Sequence, residues 1–319
     1  LSCNVPTEED LRDLDLAAEL EPDLIALSFV TSCDDVRKLR EVLTSNGPAD
    51  AWIISKIEHT LAIKNFEEIL KESDGVMIAR GDLGIEVPIE DVPILQRDLI
   101  RRANIWAKPA IVATHMLESM TEEMMPTRAE VSDVAHAIME RADAVMLSGE
   151  TAVGHNPVRA VEMMERIVRR TEQTIAIEDP LDITSPRRMI VEIIGNMTYN
   201  AVSLIPDKID GIITATRSGY TARWISKFRP PTSIFAVTPD ERVSRRLRLL
   251  WGVCPIKHEQ DLGSVDDMVR EATQVVYDRG LISKEKDIVF TSGVKMIPGR
   301  TNVVGVFHIR DLVDSLKDS

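Results

Sequence analysis

Short apolar runs alternate with stretches of helical spacing in one series, and the alternation resumes after an acidic, proline-containing break. Together these observations predict an α/β chain: a partial TIM (β/α)8 barrel of about five strands, followed by a smaller α/β three-layer sandwich domain. The first part is expected over residues 1–175 and the second over 184–319.

The runs at 24–30, 52–57, 75–79, 109–114 and 144–147 each read as a buried parallel strand. Segments between them, such as 33–43 and 94–106, carry apolar residues at helical spacing with charges in between, which makes a repeated βα unit. A closed barrel needs eight strands, so five leave two edges with unpaired backbone groups, and the first domain reads as truncated. The opening residue, Leu1 rather than methionine, points the same way. A doubly wound open sheet is the alternative, but its usual glycine-rich first turn does not occur here. The segment 171–185, with Pro180, breaks the periodicity and marks the boundary. Beyond it, strands are expected at 211–215, 233–237, 254–256, 287–290 and 303–307, with helices at 221–228, 242–251 and 266–279.

The formal charge of −14 disfavours a general affinity for nucleic acid or anionic lipid, while leaving room for a local basic patch that binds a small anionic metabolite. Cys3, Cys33 and Cys254 are far apart and form no CxxC or zinc pattern, which fits a reducing cytoplasm. No stretch of about 18 apolar residues and no signal-like segment is present, so neither membrane insertion nor secretion is expected.

Reactive groups in a barrel of this kind come from the C-terminal ends of its strands. The second strand runs Ile53-Ile54-Ser55-Lys56-Ile57-Glu58, which places a lysine and a carboxylate on one face. The third ends Ile78-Ala79-Arg80-Gly81-Asp82-Leu83-Gly84. Glu58 and Asp82, converging from neighbouring strands, suit a hard divalent ion such as Mg2+ or Mn2+ whose shell is completed by substrate and water. N–H groups around Ala79, Gly81 and Asp82 can bind a carboxylate or enolate oxygen, and Lys56 can stabilise a transferring group. The alternative is that Lys56–Glu58 is a solvated strand end and Arg80–Asp82 a local ion pair. Thr114 and Ser148 add hydroxyls to the same rim, either for proton delivery or as caps of the next helices. His115 either joins them or only packs.

At these residues the sequence resembles the pyruvate kinase family, which transfers a phosphoryl group from phosphoenolpyruvate to ADP, giving pyruvate and ATP. The resemblance rests on Ile54-Ser55-Lys56-Ile57-Glu58, on Met77-Ile78-Ala79-Arg80-Gly81-Asp82-Leu83-Gly84, on Pro126-Thr127-Arg128-Ala129-Glu130 and on Val145-Met146-Leu147-Ser148-Gly149-Glu150-Thr151-Ala152, in the family's order. It implies Glu58 and Asp82 as metal ligands, Lys56 as the group that stabilises the phosphoryl in flight, and the backbone of Ala79, Gly81 and Asp82 as holder of the substrate carboxylate. Thr114 would stand near the methylene carbon, and Ser148 in the water network around it. The second domain resembles the family's regulatory domain, with Thr216-Arg217-Ser218-Gly219-Tyr220-Thr221 as a loop for a phosphorylated effector.

The resemblance further implies that the five strands are the barrel's last, that the earlier strands and an inserted lid are missing, and that this chain by itself is weakly active or inactive. A K+ site would lie in that missing part, and a homotetramer is implied for the full-length protein. Two local departures stand out: His115 replaces an expected glutamine, and 294–302 differs from the loop that grips fructose bisphosphate in many eukaryotic members. Two further readings are a metal-dependent pyruvate-enolate aldolase, opposed by Lys56 and the second domain, and a non-catalytic binding module, opposed by retention of Lys56, Glu58 and Asp82.

Overall fold

The computed structural model describes residues 5–175, 189–259, 264–293 and 301–313. The chain divides into two units, residues 1–176 and 177–319. In the first, β1 (Leu24–Leu27), β2 (Trp52–Ile57), β3 (Gly75–Ala79), β4 (Ala110–Ala113) and β5 (Ala144–Met146) form one parallel sheet in chain order. A doubly wound sheet reverses its strand order at a switch point, and this sheet has no reversal. Right-handed crossovers in such an order place every helix on the same face, as in an arc of a barrel.

Strand alternation then sorts the side chains. Ile53, Ile57, Val76, Ile78, Ala110 and Val112 pack into the helix-covered core with Leu39, Leu43, Phe66, Ile69, Leu99 and Ala137. Ile54, Lys56, Met77, Ala79 and Ile111 are the alternate residues and belong to the opposite face.

β2 and β3 match their expected ranges, whereas three strands end early. The expected run 24–30 stops at Leu27 because Phe29 adopts φ 53, and 109–114 stops at Ala113 because Thr114 adopts φ 68. β5 stops at Met146, ahead of Ser148, which is not in strand conformation.

The Pro126–Glu130 motif starts the Arg128–Met139 helix: Thr127 and Glu130 form a reciprocal capping box. Glu130 also accepts from the Ser119 N–H at 2.7 Å and hydroxyl at 2.6 Å, tying the loop after β4 to that helix. Burial pulls the Glu130 carboxyl up, but hydrogen bonds from Ser119 and Thr127 outweigh it and hold the group below the usual carboxylate range. The Pro157–Glu172 helix, with proline in its first turn, buries Ala160, Met163, Met164 and Ile167 against the same core. Among the described residues no helix is long and apolar enough to cross a membrane.

The second unit contains β6 (Ile209–Ala215), β7 (Ile234–Thr238), β8 (Val253–Lys257), β9 (Asp287–Ser292) and β10 (Val303–His308), in the order β10-β9-β6-β7-β8. One face packs on the Val265–Asp278 and Ile309–Val313 helices through Ile213, Phe235, Ile288 and Phe290. The other packs Ile212, Ile234 and Val289 against Val202 and Ile225, which lie on the Ile190–Leu204 and Tyr220–Ser226 helices. The result is three layers. β10 is antiparallel to β9, while the other pairs are parallel. Residues 293–302 between them are fewer than the dozen or more that a parallel crossover requires.

Candidate active site

Glu58 follows β2 directly, and its side chain is fully buried. Its Oε2 accepts the Phe29 N–H at 2.8 Å, so the left-handed turn at the end of β1 exists in part to deliver a donor to this carboxylate. Its Oε1 lies 2.7 Å from Lys56 Nζ, yet that contact lacks hydrogen-bond alignment and Oε1 has no hydrogen-bond partner. Lys56 Nζ donates instead to Ser28 Oγ at 2.9 Å. The strand end is therefore not solvated: it holds a buried carboxylate with an unfilled acceptor and an ammonium beside it.

Asp82 lies at the end of the neighbouring strand, in the first turn of the Arg80–Glu86 helix, and is half-buried. Among the described residues it makes no hydrogen bond or ion pair, and its alternative partner, Arg80, is turned to Asp133 instead. Two carboxylates with open acceptor positions at adjacent strand ends fit a hard cation, which needs only one or two protein carboxylates plus substrate oxygens and water. No cluster of three or more His, Cys, Asp or Glu suited to a metal occurs among the described residues, so any cation held by this pair would need substrate oxygens and water to complete its shell.

Against Gly81, the loop after β4 carries two successive non-glycine residues at positive φ, Thr114 (68) and His115 (53). Such strain concentrates at functional sites. The Thr114 hydroxyl accepts the Gly81 N–H at 2.8 Å and donates to Ala113 O at 2.6 Å. It does not cap the next helix along the chain; it accepts a first-turn N–H of the Arg80–Glu86 helix and so joins the end of β4 to the end of β3. Gly81 is not demanded by the protein's own packing, since an added Cβ would meet Thr114 and His115 at ordinary distances of 3.5 Å. His115 is largely exposed, with Nε2 3.7 Å from Glu118 Oε2. Ala79 is buried at the end of β3.

Ser148 precedes the Gly149–Ala152 helix, but its hydroxyl makes no capping bond. Its N–H donates to Glu150 Oε2 at 2.7 Å, while Glu150 Oε1 accepts the Leu117 N–H at 3.0 Å. Glu150, 3% exposed, thus fastens the β5 loop to the β4 loop. Sequence reasoning left Glu150 without a role and offered Arg80 only as a local ion-pair partner of Asp82. Both lay inside recognised motifs, but the partners that give them their roles, Leu117 for Glu150 and Asp133 and Thr114 for Arg80, are more than 30 residues away.

In the second unit, β6 is flanked by β7 on one side and β9 on the other, the switch point at which such sheets bind ligands. Residues 216–221 follow it. Gly219 has φ 75, and an added Cβ would stand 2.7 Å from Leu247 Cδ2, so this turn requires glycine. Thr216 Oγ1 accepts the Gly219 N–H at 3.0 Å, Thr221 Oγ1 meets Thr301 Oγ1 at 2.5 Å, and Arg217 and Ser218 are exposed. Tyr220 stacks at a tilt on Trp224. Of the stretch 294–302, where the departure from fructose bisphosphate binding is expected, residues 294–300 lie outside the described residues.

Comparison with known proteins bears on both units. The family model "Pyruvate kinase, barrel domain" matches residues 1–161, and "Pyruvate kinase, alpha/beta domain" matches residues 195–307. The pyruvate kinase of Bacillus licheniformis is 42% identical over 318 residues, covering 98% of this chain and 54% of the relative. That of Geobacillus stearothermophilus is 42% identical over 316 residues, covering 97% and 53%. That of Thermococcus litoralis is 40% identical over 312 residues, covering 95% and 64%. The chain therefore spans about half the length of the first two of these curated relatives. With both family domains matched in order, and with the five-stranded parallel sheet and mixed α/β unit in place, the chain belongs to the pyruvate kinase family.

Proposed function

We propose that this chain carries the metal-binding and phosphoryl-transfer rim of a cytoplasmic pyruvate kinase, which moves the phosphoryl group of phosphoenolpyruvate to ADP. The observation that carries the reading is the buried Glu58 carboxylate, with an unfilled acceptor beside the Lys56 ammonium, at the strand end next to the one that carries the half-buried Asp82. Glu58 and Asp82 would hold Mg2+ or Mn2+, which when bound supplies charge neutralisation at phosphoryl and enolate oxygens. Lys56 adds a point charge beside the phosphoryl group while the bond to the enol oxygen breaks and the bond to ADP forms. The substrate carboxylate takes N–H groups around Ala79, Gly81 and Asp82, and at Gly81 it takes over the donor that Thr114 Oγ1 now occupies. Thr114 then faces the methylene carbon that must gain a proton, with Ser148 in the surrounding water network. In the second unit, the exposed Ser218 and Arg217 and the N–H groups of 216–221, including Thr216, Gly219, Tyr220 and Thr221, form the seat for a phosphorylated effector. K+ dependence belongs to this reading as well.

The test is a coupled assay of pyruvate formation with phosphoenolpyruvate, ADP, Mg2+ and K+. It is run on the 319-residue chain and on a joined protein in which the unmatched N-terminal portion of the Bacillus licheniformis relative precedes it. The chain by itself is expected to give little turnover, because its five described strands close no barrel and misplacement by about 1 Å costs on the order of 100-fold. The joined protein is expected to turn over on the order of 1–100 times per second. A folded joined protein that cleaves carbon–carbon bonds without phosphoryl transfer would overturn the reading in favour of an aldolase.

A further inference from the structure

Arg80 opens the Arg80–Glu86 helix immediately before Gly81 and Asp82, but its side chain serves neither. Nη1 contacts both carboxylate oxygens of Asp133, at 2.7 and 2.6 Å, on the Arg128–Met139 helix. Nη2 donates to Thr114 O at 2.7 Å and His115 O at 3.2 Å, and lies 3.0 Å from Met116 Sδ. The side chain is only 9% exposed. These carbonyls belong to the two residues held at positive φ, a region that β-branched residues such as threonine rarely occupy. Thr114 is thus gripped twice by consecutive residues of the β3 end: at its carbonyl by the Arg80 guanidinium, and at its hydroxyl by the Gly81 N–H.

We propose that Arg80, aimed by Asp133, is a positioning residue that holds the Thr114–His115 turn in its left-handed conformation and so sets where the Thr114 hydroxyl stands. The guanidinium suits this task because its planar fork reaches a carboxylate and two carbonyls at once, which the single ammonium of a lysine does not. Gln96 Oε1, 3.4 Å from Nη1, completes the enclosure, and the amide is oriented by its Nε2, which donates to Glu140 Oε2 at 2.6 Å. The Arg128–Met139 helix thereby reaches the site through one side chain. The conformational part of the proposal stands independently of activity; its consequence for turnover rests on the pyruvate kinase reading above.

The test compares wild type, Arg80→Lys and Asp133→Asn. Amide hydrogen exchange in the full chain reads the Gly81 N–H, which is the donor to Thr114 Oγ1, against the Val76 N–H, which bonds Pro109 O in the same sheet. Both variants are expected to speed exchange at Gly81 by at least about tenfold while Val76 stays within about twofold. Unchanged exchange at Gly81 overturns the proposal, and so does equal loss at both amides, which marks a merely structural pair. Asp133→Asn keeps the test decisive if Arg80→Lys does not fold, since it is isosteric and sits on a part-exposed position. In the joined protein, solvent exchange of pyruvate's methyl protons is expected to fall by about tenfold or more, with KM for phosphoenolpyruvate within about threefold. A parallel change in KM alone contradicts the positioning role. Absence of phosphoryl transfer in the wild-type joined protein defeats the functional reading but leaves the exchange result to decide on Arg80.

Discussion

Lys56→Met lowers kcat of the joined protein by on the order of 10²–10³-fold and leaves divalent-cation affinity undiminished. The substitution keeps the length and apolar stem of the side chain and removes only the ammonium, so packing against the strand end is preserved. What disappears is a charge poised 2.7 Å from Glu58 Oε1 and 2.9 Å from Ser28 Oγ. On the proposed reading that charge contributes most when the phosphoryl group is in flight, so the loss falls on kcat rather than on KM. In the absence of metal the variant also leaves Glu58 buried without its counter-charge, and the protein loses up to about 3 kcal/mol of stability, less than for a fully buried pair because Lys56 is partly exposed. Added Mn2+ restores that stability, since the cation takes the place of the missing positive charge. Near-normal kcat in this variant, checked by steady-state kinetics beside a thermal melt with and without Mn2+, rejects Lys56 as the electrostatic group.

Glu58→Gln weakens Mn2+ binding by at least about 100-fold, measured by titration of the free ion's paramagnetic signal. Loss of an outer partner of a metal ligand costs 10–100-fold in metal affinity, so loss of a ligand itself sets that as a floor. The amide oxygen of glutamine can still accept the Phe29 N–H, so the left-handed turn at the end of β1 is kept and the effect is electrostatic rather than a collapse of the loop. Asp82→Asn is expected to weaken binding as well, with less effect on stability, because Asp82 has no partner to abandon among the described residues. Unchanged affinity in both variants would place the cation elsewhere.

How much of this was legible in the sequence depended on the range over which each signal acts. The ranges of β2 and β3 could be read from the chain because their apolar runs end abruptly in charged residues, and the two-residue spacing of Lys56 and Glu58 is enough to put them on one face. β1 and β4 were read too long because hydrophobicity continues through Phe29-Val30 and Thr114, whereas the backbone turns at positive φ that no glycine announces. The antiparallel sense of β10 was legible only in the shortness of its link. Arg80 looked like a partner for Asp82, two residues away; its actual partner, Asp133, is 53 residues on and faces it only because β3 and the Arg128–Met139 helix pack in the same unit. Glu150 likewise draws its donors from Ser148 and from Leu117, one of them distant. Local pattern carries the strand-borne groups; the contacts that hold the loops together arise from the fold.

Crystals of the joined protein grown with Mn2+ and the unreactive analogue oxalate test the account most directly, through the anomalous signal of the metal. The account predicts one peak at the C-terminal rim of the sheet, with a carboxylate oxygen of Glu58 and one of Asp82 each within about 2.0–2.3 Å, and with Lys56 lining the same cleft. A peak bound to neither carboxylate, or Glu58 and Asp82 directed to separate sites that share no ion, would contradict it.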